Sequence, residues 1–208
     1  LNILNQVNIE SFPSRQQAEI FILKGEFLRQ LKGRDDAAFA AYSGGMSICA
    51  DFEEGWLAWG AFCDEMVDRL SKNDESSPHL RPGETQASAV QTWSKHSVVC
   101  FLQALRYGSE DARLKTPRVL WLLSNDKPDG PVMAAFEKYN EHVPPGVWLP
   151  WVPQLMQLAS QQLSLTQLAS QQLLQSVESQ ELMQSAPSSQ QLQQLAPQQL
   201  VLQLATTT

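Results

Sequence analysis

Apolar residues recur at steps of three and four through the first part of the chain, which is the spacing of one face of an α-helix. Over residues 15–31 the apolar and small residues on this face are Ala18, Phe21, Ile22, Gly25, Leu28 and Leu31. A polar turn over 32–36 follows, in which Gly33 is the predicted helix stop. The same spacing returns over 37–46. The pattern therefore predicts two amphipathic helices that pack as a pair.

The helical pattern restarts at Trp56, and Gly60 lies 35 residues after Gly25. This period is close to the roughly 34 residues of tetratricopeptide repeats. The first predicted unit comprises Gly25, Ala38, Tyr42 and Gly45. The second comprises Trp56, Trp59, Gly60, Ser97, Phe101 and Ala104. We expect the small residues to let paired helices approach closely, while Tyr42, Trp56 and Phe101 fill the space between pairs.

A long polar segment separates the two halves of the second unit. Residues 71–87 are rich in Ser, Asp, Glu, Pro and Gly, so we expect a mobile surface insertion there. Beyond it, residues 98–107 and 114–123 are predicted helices. A turn over 125–130 then precedes a further helix that begins over 132–139.

Residues 143–155 form a proline-rich segment that we interpret as a rigid joint between stacked helices. It contains Pro144, Pro145, Pro150 and Pro153 together with Trp148 and Trp151. Proline fixes its own φ and restricts the preceding residue, so this stretch can follow few paths. If Trp148 opens a helix, the two indoles share one face and pin the joint against a neighbouring helix. The alternative is a proline-rich surface loop with two exposed indoles.

From Gln157 onward the sequence consists mostly of Leu, Gln, Ser and Ala, and residues 157–163 (QLASQQL) recur unchanged as 167–173. Pro187 and Pro197 interrupt any helix there, so we expect helix-prone disorder. The predicted organisation is an all-α, TPR-like helical-repeat solenoid over 1–156, followed by a low-complexity tail over 157–208.

The charge and cysteine content narrow the classes of function. The net charge is −7, with all fifteen Lys and Arg before Met156, which argues against a surface that binds nucleic acid. No apolar run is long enough to span a membrane. Cys49, Cys63 and Cys100 are odd in number and lie in apolar surroundings, so we expect reduced, buried thiols in an intracellular protein. Because the chain opens on Leu1 rather than Met, we expect an internal piece of a longer protein.

The sequence does not predict a catalytic, cofactor-binding or metal site. His79, His96 and His142 lack a second ligand at a metal-binding spacing. The acidic residues Asp51, Glu53, Glu54, Asp64 and Glu65 are expected to form a solvated helix face. There is no P-loop, nucleophile elbow or kinase loop sequence. We expect the tryptophans at 56, 59, 121, 148 and 151 to form a core between repeats.

Several stretches resemble the FAT domain of the phosphatidylinositol-3-kinase-related kinases. They are 23–28 (LKGEFL), 56–60 (WLAWG), 119–124 (VLWLLS), 138–139 (KY), 143–145 (VPP) and 148–155 (WLPWVPQL). The resemblance covers about 18–156. Within the family it is strongest to the pseudokinase scaffolds of histone acetyltransferase coactivator complexes. The insertion is longer than that family leads us to expect, and its helices should continue after Leu155, where this chain turns to Gln-Leu repeats.

The resemblance implies a non-catalytic nuclear scaffold that binds coactivator complex subunits and transcription activators. It also implies that the segment braces a kinase-like domain of the same parent chain. One alternative is the FAT segment of an active Ser/Thr protein kinase, which would need catalytic and metal-binding aspartates elsewhere in the parent chain. Another is a free-standing tetratricopeptide adaptor for peptide tails, to which the first helix offers Lys24, Arg29 and Gln30.

Overall fold

The computed structural model describes residues 8–72, 80, 82–127 and 129–161, and every regular element within them is helical. A 3₁₀ turn at Ile9–Ser11 is followed by α1 (Ser14–Arg29), α2 (Asp35–Ile48), α3 (Glu53–Lys72), α4 (Gln86–Arg106), α5 (Glu110–Arg113), α6 (Thr116–Ser124) and α7 (Pro131–Asn140). Two further 3₁₀ turns, Pro145–Val147 and Leu149–Trp151, lead into a last helical stretch, α8, over 152–161. The predicted all-α fold is confirmed.

Side-chain caps set several of the helix starts. The Thr85 hydroxyl accepts a hydrogen bond from the Ser88 backbone N–H before α4, and Ser109 caps α5 in the same way. The first turn of α7 is capped from farther away, because Asp126 Oδ2 accepts from the N–H groups of Val132 at 2.8 Å and Met133 at 3.0 Å. The turn that the sequence predicted over 125–130 thus also fixes where α7 begins.

Helices α1 and α2 form the first pair through a glycine that faces an aromatic ring. A Cβ atom on Gly25 would lie 3.0 Å from three ring carbons of Tyr42, closer than ordinary contacts allow. The buried Tyr42 hydroxyl donates to Glu26 Oε1 at 2.7 Å, and burial followed by this carboxylate raises the pKa of Tyr42. At a second close approach, a Cβ on Gly45 would lie 3.0 Å from the Ala18 carbonyl oxygen.

Helices α3 and α4 repeat this arrangement. A Cβ atom on Gly60 would lie 2.8 Å from the Phe101 ring and 3.1 Å from Cys100 Cβ. One turn before Phe101, the buried Ser97 hydroxyl donates to the Gly60 carbonyl oxygen at 3.4 Å. The glycine and ring positions predicted from the sequence therefore meet in both pairs, and the TPR-like interpretation is confirmed.

The second pair stacks on the first through aromatic and charged contacts. The Tyr42 and Phe62 rings stack with centroids 5.2 Å apart, and Phe39 meets Trp59 edge-to-face at 5.2 Å. At the ends of α2 and α3, Arg69 binds Asp35 with nitrogen–oxygen distances of 3.0 and 3.4 Å. The buried apolar residues form two clusters. One joins α1, α2 and α3 with Cys100 of α4, and the other joins the rest of α4 with α6, α7 and the proline-rich joint.

The proline-rich segment folds as two successive 3₁₀ turns. Trp148, at their junction, is 9% exposed and meets Phe136 of α7 edge-to-face at 5.5 Å between centroids. Trp151 is half-buried, and α8 begins only after it. A joint anchored by Trp148 is therefore confirmed. Trp148 does not open an α-helix, which was the condition for the two indoles to share one face, because the closely spaced prolines favour tight turns there.

The region around the predicted insertion is more helical than expected. Helix α3 continues to Lys72 and α4 begins at Gln86, well before the predicted start at residue 98. The Gln86 side chain donates to the Leu70 carbonyl oxygen at 2.5 Å, which ties the two helix ends together. The predicted insertion over 71–87 includes residues 73–79 and 81, which lie outside the described residues, and its mobility stays a prediction. The disorder predicted for the tail beyond residue 161 likewise lies outside the described residues.

Replacing Gly60 by Ala should lower the free energy of unfolding by about 1–3 kcal/mol, because the new methyl group would press Phe101 and Cys100 out of a close-packed contact. Alanine is the better helix former by up to about 1 kcal/mol, so packing must outweigh propensity. Urea unfolding followed by circular dichroism measures the change. The control is Gly146→Ala, where no other group lies within 4 Å of the new Cβ. Equal stability of Gly60→Ala and the parent chain would contradict the proposed pairing.

Candidate interaction surface

An uncovered apolar stripe lies along the first helix. Leu23, Phe27 and Leu31 are spaced four residues apart and are 50%, 58% and 44% exposed, respectively. Leu23 and Phe27 share one side of α1 because they are four residues apart, and Leu31 follows just after the helix. These three exposed side chains are here called the open face. Large apolar side chains gathered on one face are typical of interaction sites.

The internal repeat shows how the residues equivalent to those of the open face are packed in the second unit. By the 35-residue offset that relates Gly25 to Gly60, Phe27 corresponds to Phe62 and Leu31 to Met66. Both Phe62 and Met66 are completely buried, and Phe62 stacks on Tyr42 of the preceding helix pair. Equivalent positions are thus covered in the second unit and uncovered in the first.

A second apolar surface lies at the other end of the described helices. Leu149, Val152 and Met156 are all exposed and are spaced three and four residues apart. Large apolar side chains are therefore left uncovered at both ends of this helix series, although Leu114 and Trp121 between them are also exposed.

The acidic residues considered as a carboxylate cluster are held in ion pairs. Arg118 binds Asp64 at 2.7 Å and Asp68 at 2.5 Å. Asp64 is mostly buried, and this burial raises its pKa while Arg118 opposes the shift. The expectation of a solvated face is therefore wrong for Asp64, because α6 packs Arg118 across it.

Asp51 and Glu54 lie on the surface, as the sequence predicted. Glu54 meets Arg15 at 3.0 Å, with both side chains largely exposed. Asp51 accepts a hydrogen bond from the Cys49 thiol at 3.0 Å, and this bond lowers the pKa of Asp51. Exposed pairs of this kind contribute little to stability.

The two histidines that the structure describes lie on different elements. His96 is half-buried, with its ring 5.0 Å from that of Phe39. His142 is exposed, with its nearest carboxylate oxygen 3.9 Å away on Glu141. His79 lies outside the described residues. Within the described part of the chain, no group of three or more His, Cys, Asp or Glu side chains is placed to hold a metal ion. The absence of a catalytic site stays a prediction.

Two of the three cysteines occupy the interior, and all three are free thiols. Cys63 and Cys100 are buried between α3 and α4, where burial and the neighbouring Cys63 raise the pKa of Cys100. The prediction of buried thiols is confirmed for these two. It is wrong for Cys49, which is half-buried because it lies at the end of α2, beyond the helix contacts.

The tryptophan core predicted between repeats forms only in part. Trp59 and Trp148 are buried, and Trp56 is half-buried and stacks on Trp59 at 5.6 Å. Trp121 is 47% exposed, and the Arg118 guanidinium lies over its ring at 4.2 Å. The prediction for Trp121 is wrong, because α6 turns Val119, Leu122 and Leu123 inward and Trp121 outward.

The basic groups that a peptide-binding adaptor would use do not form a free row on α1. Arg29 is engaged by Glu26 at 3.2 Å and by Glu65 at 3.9 Å.

Within the residues that the structure covers, no helix combines the length and apolarity that crossing a membrane requires.

Comparison with known proteins gives one family and several long relatives. A family model described as the FAT domain matches residues 1–121. The SAGA complex/NuA4 acetyltransferase complex subunit Tra1 of Schizosaccharomyces pombe is 31% identical over 162 residues, which is 77% of this chain and 4% of that protein. The transformation/transcription domain-associated protein of Homo sapiens is 29% identical over 157 residues, which is 75% of this chain and 4% of that protein. The chain thus spans a small fraction of the length of the curated relatives it matches.

Replacing Trp148 by Ala should lower the free energy of unfolding by about 3–5 kcal/mol, because its indole fills a buried site against Phe136. The matched change Trp121→Ala should cost only about 1 kcal/mol, since it removes a half-exposed ring and one cation–π contact. Denaturant unfolding of both variants gives the comparison. Equal losses, or a larger loss at Trp121, would show that the joint is not anchored as described.

Proposed function

We propose, since the chain belongs to the FAT domain family, that it is a scaffold segment of a transcription coactivator within a histone acetyltransferase complex. The Schizosaccharomyces pombe relative is named as a subunit of the SAGA and NuA4 acetyltransferase complexes, and other relatives are named as transcription-associated proteins. In this proposal the segment works in the nucleus. It contributes binding surface and mechanical continuity, and it performs no reaction of its own.

The observation that carries the proposal is the contrast between the open face and its internal counterpart. Phe62 and Met66 are buried where one helix pair stacks on another, whereas Phe27 and Leu31 are exposed at the equivalent positions. A helix pair or partner subunit that covers the open face would bury the same kind of surface. Each fully buried side chain of this size stabilises the contact by roughly 1.5–3 kcal/mol.

The ion pairs between helices support a structural role for this segment. Arg69 joins α3 to Asp35 at the start of α2, and Arg118 joins α6 to Asp64 on α3. These charges fix the relative positions of helices, which is what a scaffold segment requires. Coactivator subunits and transcription activators are the proposed partners, together with a kinase-like domain of the same parent chain.

Two other functions receive less support. A peptide-binding adaptor would use Arg29 to bind a carboxylate, but Arg29 is already paired with Glu26 and Glu65. An active protein kinase would carry its catalytic residues in another part of the parent chain, and no contact described here depends on them.

A chimera tests the proposal directly. The matching region of Schizosaccharomyces pombe Tra1 would be replaced by residues 1–161 of this chain, and the tagged protein would be purified from its host. We expect the chimera to co-purify with the acetyltransferase complex. In the same chimera, Leu23→Glu should abolish or strongly reduce this assembly, because it places a charge on the open face.

The matched control is Leu114→Glu, which makes the same change at an exposed leucine away from the open face. We expect the control chimera to assemble as the unmodified one does. A chimera that folds but never joins the complex would contradict the proposed function. Equal assembly of the Leu23→Glu and Leu114→Glu chimeras would show that the open face does not take part in joining the complex.

A further inference from the structure

The contact between the two helix pairs supplies a template for what covers the open face. On α2, Tyr42 and Met46 both contact α3. The Tyr42 ring stacks on the Phe62 ring, with centroids 5.2 Å apart and ring planes 28° from parallel. A Cβ atom on Gly55 would lie 2.6 Å from Met46 Sδ, so the methionine fits there because Gly55 has no side chain. Since Tyr42 precedes Met46 while Phe62 follows Gly55, α2 and α3 run antiparallel.

The 35-residue offset transfers both contacts to α1, where one of the receiving residues is different. Phe62 corresponds to Phe27, and Gly55 corresponds to Ile20. Ile20 and Phe27 are seven residues apart, close to two helical turns, so they share one side of α1. Phe27 is exposed and Ile20 is half-buried. The ring is thus retained, whereas a branched side chain occupies the position that admits methionine in the second unit.

We propose that the open face is covered by an antiparallel amphipathic helix that places an aromatic ring on Phe27 and, four residues later, a small residue opposite Ile20. This helix is the second of a neighbouring pair in the same parent chain, and it holds the position that α2 holds on α3. Its ring repeats the stack of Tyr42 on Phe62. A residue as large as methionine opposite Ile20 would overpack the contact and destabilise it.

This inference rests on the proposed scaffold function and adds a rule for which helix the segment accepts. Stacking of repeats in general requires only that neighbouring apolar faces meet. Because Ile20 lies where the second unit has glycine, a helix that suits α3 fits α1 poorly. The open face therefore selects its neighbour, and α2 itself would fit it only if Met46 were smaller.

The test is a chain with one additional helix pair, made by joining residues 1–52 directly to residues 18–208. Ala18 then follows the loop after the added pair, as Glu53 follows that loop in the parent chain, and the second copy of Gly25 lies 35 residues after the first. The upstream copy of α2 is thereby placed on the open face of the downstream copy of α1. Urea unfolding followed by circular dichroism gives the midpoint of unfolding.

We expect Met46→Ala in the upstream copy to raise this midpoint by at least about 0.5 M, because it relieves overpacking against the downstream Ile20. The matched control is Met46→Ala in the downstream copy, where the side chain still packs against Gly55. There the substitution opens a cavity and should lower the midpoint by at least about 0.5 M. The same change in the two copies should thus have opposite signs.

A second matched pair tests the ring contact. Phe27→Ala in the downstream copy should lower the midpoint, because that ring is covered, whereas in the upstream copy, whose ring is exposed, it should leave the midpoint nearly unchanged. Effects of equal sign and size from the two copies, at Met46 or at Phe27, would overturn the proposal. So would an added pair that unfolds in a separate transition after the upstream Met46→Ala change.

Sedimentation of the parent chain adds one further outcome. A concentration-dependent dimer that Phe27→Glu abolishes would assign the open face to a second copy and contradict the proposal. These results are separate from the assembly of the Tra1 chimera. A chimera that joins its complex while the duplicated chain fails would leave the scaffold function in place and refute only the rule for the covering helix.

Discussion

The close approach of two helices across a glycine and an aromatic ring is the contact on which the remaining architecture depends. Gly25 lies under Tyr42 in the first pair, and Gly60 lies under Phe101 in the second. A side chain at either glycine would separate the helices and shift the ring that the next pair packs against. Because Tyr42 also stacks on Phe62, the geometry within one pair sets the geometry between pairs. Interiors packed to crystal-like density transmit such displacements.

Because this contact is repeated, the described segment is built from stacked helix pairs. The first pair covers the apolar face of the second, and uncovered apolar residues remain on α1 and around the start of α8. A segment built in this way is suited to continue a longer array or to receive a partner, as is typical of helical-repeat proteins. The FAT family match and the very long relatives agree with that character. The ion pairs of Arg69 with Asp35 and of Arg118 with Asp64 position the helices relative to one another.

Local patterns predicted the pairing well and the orientation of single helices less well. Small residues at a 35-residue offset were enough to match Gly60 with Phe101, although a long insertion separates them. The run over 119–123 is apolar throughout, so its spacing could not tell that Trp121 faces outward. The early start of α4 was missed because its first turns are rich in Ser, Gln and Thr. The ring contact between Phe39 and Trp93 joins α2 to α4, and proximity between helices so distant in sequence is not encoded in any local spacing.

Native-state hydrogen exchange of the complete chain tests the stacked-pair architecture most directly. Amides of α3 and α4, which have neighbouring helices on more sides, should open only with global unfolding and should exchange slowest. Amides of α1, whose open face is uncovered, should exchange at least about tenfold faster than those of α3. That gradient is the result the account predicts. Protection in α1 equal to or greater than that in α3 would contradict the claim that the second pair is covered by the first while the first is left uncovered.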